Sequence, residues 1–188
     1  NVTISGLTTN GGHIIGQDTV CPYGWNSNPI NNPSKKCYRM FEEPKNFYDA
    51  EAYCNKHAAQ DSYTGSSLGS MDAHLVQIAN EGELLVTQRL CRGQLNTITT
   101  FEGCWIGLHD PDGVGKFAWM QPETVTNNTF RDWQRYMKNN HTFSEGESTN
   151  GELCVQMKPW QNDALIREQG SFNDASCNLT KPFVCQMF

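Results

Sequence analysis

The chain has no long apolar run, no basic cluster and no closely spaced cysteine pair. No stretch approaches the roughly 20 apolar residues that a membrane-spanning helix needs, so no membrane insertion of this chain is expected. Lysine and arginine total 14 against 20 acidic residues, a net charge of −6, and the longest basic run is Lys35-Lys36. A nucleic-acid partner requires a basic face, so that class is excluded. With no CxxC pair a zinc ribbon is not expected, and His13, His57, His74, His109 and His141 are scattered without ligand spacing. They read as surface or packing residues. No Ser/His/Asp or Cys/His set is discernible, so the chain is not expected to be an enzyme. There is no initiator methionine and no signal peptide, which reads as a mature chain or an excised ectodomain.

What the sequence does hold is eight cysteines in 188 residues. The length suits one domain with a real core. An even cysteine count without metal spacing points to four disulfides and an oxidising compartment. Four glycosylation sequons agree: Asn1-Val2-Thr3, Asn127-Asn128-Thr129, Asn140-His141-Thr142 and Asn178-Leu179-Thr180. Together they place the chain outside the cell, secreted or on the cell surface.

Residues 1–20 are polar, with Gly and Thr, and read as an edge strand or a tail ahead of a domain over 21–188. CPYGW (21–25) to KKCYRMF (35–41) reads as a hairpin around a loop of turn formers. EPKNFYDAEAYCNKH (43–57) is helical, with Phe47, Ala50 and Cys54 on one face and Asn46 as N-cap. Residues 58–72 form a Gly/Ser-rich loop. HLVQIAN (74–80) leads into a second helix, NEGELLVTQRLC, where Asn80 and Glu83 resemble a capping box. CWIGL (104–108) and KFAWM (116–120) read as strands around the turn HDPDGVG. Residues 121–151 are long and polar. LCVQM (153–157) and PFVCQMF (182–188) read as core strands. Helices first and short strands after give an α+β fold.

Taken in order, CPYGW, CYRMF, the helix with Cys54, AHLVQI (73–78), WIGL (105–108), Trp119, Trp133, GELC (151–154), FNDASC (172–177) and PFVC (182–185) resemble the C-type lectin-like domain family. The resemblance runs from Cys21 to Cys185 and is that of a divergent, long-form member. It implies two helices flanking antiparallel strands, with a long polar loop region carrying any ligand site. It implies Cys54–Cys185, Cys154–Cys177 and, for the long form, Cys21–Cys37. Cys91 and Cys104 are then left to each other, an addition to the common pattern. Trp105, Trp119 and Trp133 fall at core positions of the family.

Sugar-binding members of the family hold a calcium ion on the long loop. Calcium takes about six to eight oxygen ligands. A Glu-Pro-Asn-type triplet, a glutamate two residues before the loop cysteine and an Asn-Asp pair on the next strand supply them, and sugar hydroxyls complete the shell. The resemblance therefore implies metal ligands at Glu152, Asn173 and Asp174, with Phe172 where the family often has tryptophan. The triplet departs: one register puts Glu145-Gly146-Glu147 in its place, the other Glu147-Ser148-Thr149. The first offers two carboxylates and is favoured. Neither keeps the proline, so this loop is shaped differently or is ordered only when calcium binds. The metal set is then Glu145, Glu147, Glu152, Asn173 and Asp174, with Glu147, Glu152 and Asn173 also contacting carbohydrate. Four carboxylates drawn together by Cys154–Cys177 would repel one another without a cation.

Plainer readings stand beside these. An Asn-Asp pair before a disulfide can satisfy backbone N–H groups unaided, and the glutamates can form a solvated acidic loop. Asp110 and Asp112 could hold a second ion, but Asp-Pro-Asp-Gly is an ordinary turn and that reading comes first. Gln121-Pro122-Glu123 resembles a galactose-type triplet yet precedes Trp133, and is taken as a turn. Trp160 is either a sugar-stacking surface or a packing residue. A glycan on Asn140 would shield the loop. Two functions follow: a calcium-dependent carbohydrate-binding lectin domain, or a protein-binding or structural module that binds no sugar. The partner is accordingly a glycan or an extracellular protein. Specificity in the family is read from the triplet, so the sugar is not implied.

Overall fold

The computed structural model describes residues 21–27, 36–58, 73–95, 103–120, 129–138, 141–144, 151–158 and 170–187, with the backbone alone at 57–58, 93–95, 135–138 and 141–144. Residues 1–20 lie outside this set. The chain order is β1 (Asn26–Ser27), β2 (Cys37–Lys45), α1 (Phe47–Tyr53), β3 (Ala73–Leu75), α2 (Glu81–Leu95), β4 (Cys104–His109), β5 (Ala118–Trp119), β6 (Arg135–Lys138), β7 (His141–Ser144), β8 (Cys154–Met157), β9 (Phe172–Ala175) and β10 (Lys181–Met187). A π-helical turn, Cys54–Ala58, extends α1.

One sheet runs β1-β2-β10-β4-β8-β9, with β3 beside β10 and β5 beside β4. β10 lies between β2 and β4 and is buried at every position, which is why it reads as a nearly continuous apolar run rather than an alternating one. The sheet is mixed. β2, β3 and β8–β9 pair antiparallel, whereas β10 meets β4 in parallel at Phe183↔Trp105. β4 alternates between two cores. Trp105 joins Phe47 and Phe183 on one side, and Ile106 and Leu108 join Val155, Met157 and Phe172 on the other.

Helix α1 starts where the sequence places it. The Asn46 side chain accepts the Asp49 N–H at 2.9 Å, satisfying one of the unpaired first-turn donors. Phe47, Ala50 and Cys54 are buried. Helix α2 runs to Leu95, past Cys91 where the sequence reading stops. Asn80 accepts the Glu83 N–H at 3.0 Å. Glu83 does not return to Asn80; it takes the Ala79 N–H at 2.8 Å and the Lys36 ammonium at 3.0 Å. The box is shifted by one residue because Glu83 is buried and must meet a buried cation.

Three other expectations change in the structure. The strand expected over 116–120 shrinks to Ala118–Trp119, with Phe117 turned onto the Trp133 ring. The polar stretch read as loop contains an antiparallel ribbon, β6–β7, that among the described residues forms a separate two-stranded sheet. The N-terminal hairpin is shifted: Asn26 and Ser27, expected in its loop, pair with Tyr38 and Cys37.

Four disulfides brace the fold: Cys21–Cys37, Cys54–Cys185, Cys91–Cys104 and Cys154–Cys177. Cys54–Cys185 closes 131 residues and anchors α1 to β10, the bridge for which loop-closure entropy predicts the largest gain. Cys91–Cys104 fastens α2 to β4 across only 13 residues.

Candidate functional site

Strands β8 and β9 lie side by side, with Cys154↔Ala175, Val155↔Asp174, Gln156↔Asn173 and Met157↔Phe172 opposite one another. The Cys154–Cys177 bridge ties the start of β8 to the turn after β9. Paired residues share a face, so Asp174 lies with Val155 and Asn173 with Gln156. β9 ends the sheet.

The start of β9 is clamped from the segment before β6. The Asp132 carbonyl accepts the N–H groups of Ser171 and Phe172, both at 2.7 Å, and its carboxylate accepts the Ser171 hydroxyl at 2.6 Å. Gly170, at φ +78°, passes so close to Trp133 that a Cβ would lie 2.2 Å from its carbonyl oxygen. Only glycine fits there. Trp133 itself packs edge-on against Phe172. The sequence reading had missed this clamp; Gly170 just before FNDASC was the one available signal.

Asp174 is the chemically unusual residue. It is 1% exposed, and among the described residues neither carboxylate oxygen has a hydrogen-bond partner. A buried carboxylate with no donor and no cation is costly. Asn173 is half-buried, and its side-chain amide donates to the Asp174 carbonyl. Glu152 is half-buried just ahead of β8. Gln156, opposite Asn173, is buried, and its side-chain oxygen is likewise unpaired among the described residues.

The Asp110 turn abuts the same strand, because the Asp110 N–H donates to the Leu153 carbonyl at 2.8 Å. Its buried carboxylate accepts the N–H groups of Gly113 at 3.1 Å and Gly115 at 2.6 Å. Those are turn-forming bonds, and Asp112 is exposed. The turn reading of Asp-Pro-Asp-Gly is therefore the one the geometry supports.

Glu145, Glu147, Gln121-Pro122-Glu123, Trp160, Asn1, Asn127 and Asn140 lie outside the described residues. Among the described residues no group of three histidine, cysteine or acidic side chains gathers as a metal site. The structure thus brings Asn173 and Asp174 together on β9, against the strand that Glu152 precedes. The His109 Nδ1 lies 3.2 Å from the Ala118 carbonyl, and its ring stacks on Phe47. His74 pairs with Glu51, 2.5 Å away on α1.

A sequence model of the Lectin C-type domain matches residues 68–187. The chain belongs to the C-type lectin domain family. An alpha-N-acetylgalactosamine-specific lectin from Patiria pectinifera is 29% identical over 170 residues, covering 87% of this chain and 83% of that protein. Among solved structures, the C-type lectin CEL-I from Cucumaria echinata superposes with a TM-score of 0.59 at 21% identity, over 89% of this chain and 97% of that one. A calcium-independent type II antifreeze protein superposes with a TM-score of 0.54 at 18% identity, over 90% and 96%. At such identities the structures speak for the fold alone. C-type lectin domains are in general binding domains rather than enzymes, and the family spans sugar-binding and calcium-independent members. No helix among the described residues is long and apolar enough to cross a membrane.

Proposed function

We propose that this C-type lectin domain acts outside the cell as a calcium-dependent carbohydrate-binding module. The observation that carries the reading is Asp174, a buried carboxylate with both oxygens unpaired among the described residues. A divalent cation would supply the missing countercharge. Asp174, Asn173 and Glu152 would hold it, joined by Glu145 and Glu147 from the loop. Carboxylate and amide oxygens suit calcium, a hard ion that prefers oxygen ligands. When bound, calcium would coordinate vicinal sugar hydroxyls. Glu147, Glu152 and Asn173 would then orient those hydroxyls by hydrogen bonds. No catalytic step is assigned to the chain.

A second reading rests on Asn173, whose amide already closes on the Asp174 carbonyl. That bond favours a self-contained structural pair in a protein-binding module. Calcium titration of EDTA-treated protein separates the two. The lectin reading expects saturable binding by millimolar calcium and a higher melting temperature. No binding and no change in melting rejects it. Asp174→Ala should abolish calcium binding yet leave a folded, disulfide-bonded domain; global unfolding would make the pair structural. Glycan-array binding that survives EDTA would reject the calcium dependence, and no glycan binding in either condition would favour the second reading.

A further inference from the structure

A shallow groove of about 400 Å³ runs along the outer face of α1. Asp49, Ala52, Tyr53 and Lys56 line it at the spacing of one helical face, and Lys45 and Thr180 close its other wall. Thr180 is also the third residue of the sequon Asn178-Leu179-Thr180. The turn that carries Asn178 is fastened to this helix. The Phe47 N–H donates to the Cys177 carbonyl at 3.1 Å, and the Leu179 N–H closes the turn on Ser176 at 3.1 Å. Asn178 is exposed, and two exposed apolar side chains flank the junction, Tyr48 at 52% and Leu179 at 49%. The lining mixes hydroxyl, carboxylate and ammonium groups with the edge of an aromatic ring, the chemistry that suits a sugar with polar rims and apolar C–H faces.

We propose that Asn178 carries an N-linked glycan whose first sugars lie in this groove along α1. The occupant follows from the attachment point: a sugar joined to Asn178 starts two residues from the Thr180 wall, on a turn bonded to the helix. In the covalent step the Asn178 amide nitrogen bonds to the anomeric carbon of a lipid-pyrophosphate-linked oligosaccharide. The carbon–oxygen bond to pyrophosphate breaks, the lipid pyrophosphate leaves with the electron pair, and the amide gives up one proton. The glycan would cover Tyr48, Leu179 and the outer face of the helix. It is independent of any calcium at Asp174.

The full chain, secreted from eukaryotic cells, tests this beside its Asn178→Gln variant, which keeps an exposed amide and lacks the acceptor. Mass spectrometry after enzymatic deglycosylation should find Asn178 converted to aspartate in the wild type. Amide hydrogen exchange over 49–56 should be about threefold slower in the wild type than in the variant, with no difference in α2. An unmodified Asn178 overturns the proposal. A modified Asn178 with equal exchange over 49–56 overturns the groove as its resting place.

Discussion

Two buried carboxylates, one at the start of α2 and one on β9, are treated in contrary ways. Glu83, at the start of α2, is 3% exposed and fully engaged. It holds the Lys36 ammonium at 3.0 Å, with the two side chains 6% and 4% exposed, and it takes the Ala79 N–H. Tyr38 is drawn into the same region: burial first, then the negative charge of Glu83, pushes its phenol above the ordinary tyrosine range. Asp174, on β9, is 1% exposed and has no such company among the described residues. Asp110 follows the Glu83 pattern, with two backbone donors. Among the described residues the fold supplies partners for two of these buried acids and none for Asp174, an exception to the rule that buried polar groups are hydrogen-bonded.

The sharpest way to break the comparison is to make Glu83 resemble Asp174 by removing a partner. Glu83→Ala takes the 3.0 Å carboxylate from buried Lys36, which keeps its bond to the Gln77 carbonyl, and takes the acceptor from the Ala79 N–H. Truncating one member of a buried ion pair costs about 3–5 kcal/mol, and urea unfolding should show a loss of that size. A loss under about 1 kcal/mol would mean that water reaches Lys36, as at a surface pair.

The opposite change makes Asp174 resemble a neutral residue. Asp174→Asn removes an unpaired charge while keeping the shape, so the calcium-free protein should gain about 1–2 kcal/mol. The wild type should overtake it when calcium is added, since a ligand at 100 times its Kd contributes about 2.7 kcal/mol to a protein that binds it only when folded. Thermal melting of both proteins, in EDTA and in excess calcium, reads this crossing of sign. Wild type more stable than the variant under both conditions would sink the cation reading.

The contrast between these acids also shows what sequence can carry. Helix α1 is legible because its signals are local: Asn46 caps, and Phe47, Ala50 and Cys54 recur on one face. β10 is legible as PFVCQM because a strand buried on both faces reads as a nearly continuous apolar run, broken here only by Lys181 and Gln186. The β6–β7 ribbon is not, since it joins no sheet core and its residues show no apolar alternation. On the site, Asn173, Asp174 and Glu152 stand out through the spacing of GELC and FNDASC. That Asp174 has no hydrogen-bond partner among the described residues does not, because burial and pairing are set by contacts between distant segments. Lys36 and Glu83 are 47 residues apart, and neither shows in sequence that it will be buried. Gly170 against Trp133 is likewise a contact between distant segments.

A fourth acid, Glu51 of α1, gives the smallest and most pH-dependent form of the comparison. Burial alone would raise its pKa. The His74 ring, the Leu75 N–H and the Asn55 amide outweigh that and hold it below the ordinary 4.5. A carboxyl depressed in the folded state binds its proton more readily when unfolded, so its contribution is complete above the unfolded value. That contribution fades as pH falls through the lower folded value. Glu51→Gln should therefore be less stable than the wild type at neutral pH, by about 1 kcal/mol given the screening of a partly exposed group. The two stability curves should converge as the solution is acidified below pH 4.5. A constant gap across that range would mean that Glu51 acts through packing of its methylenes against β3 and not through its charge.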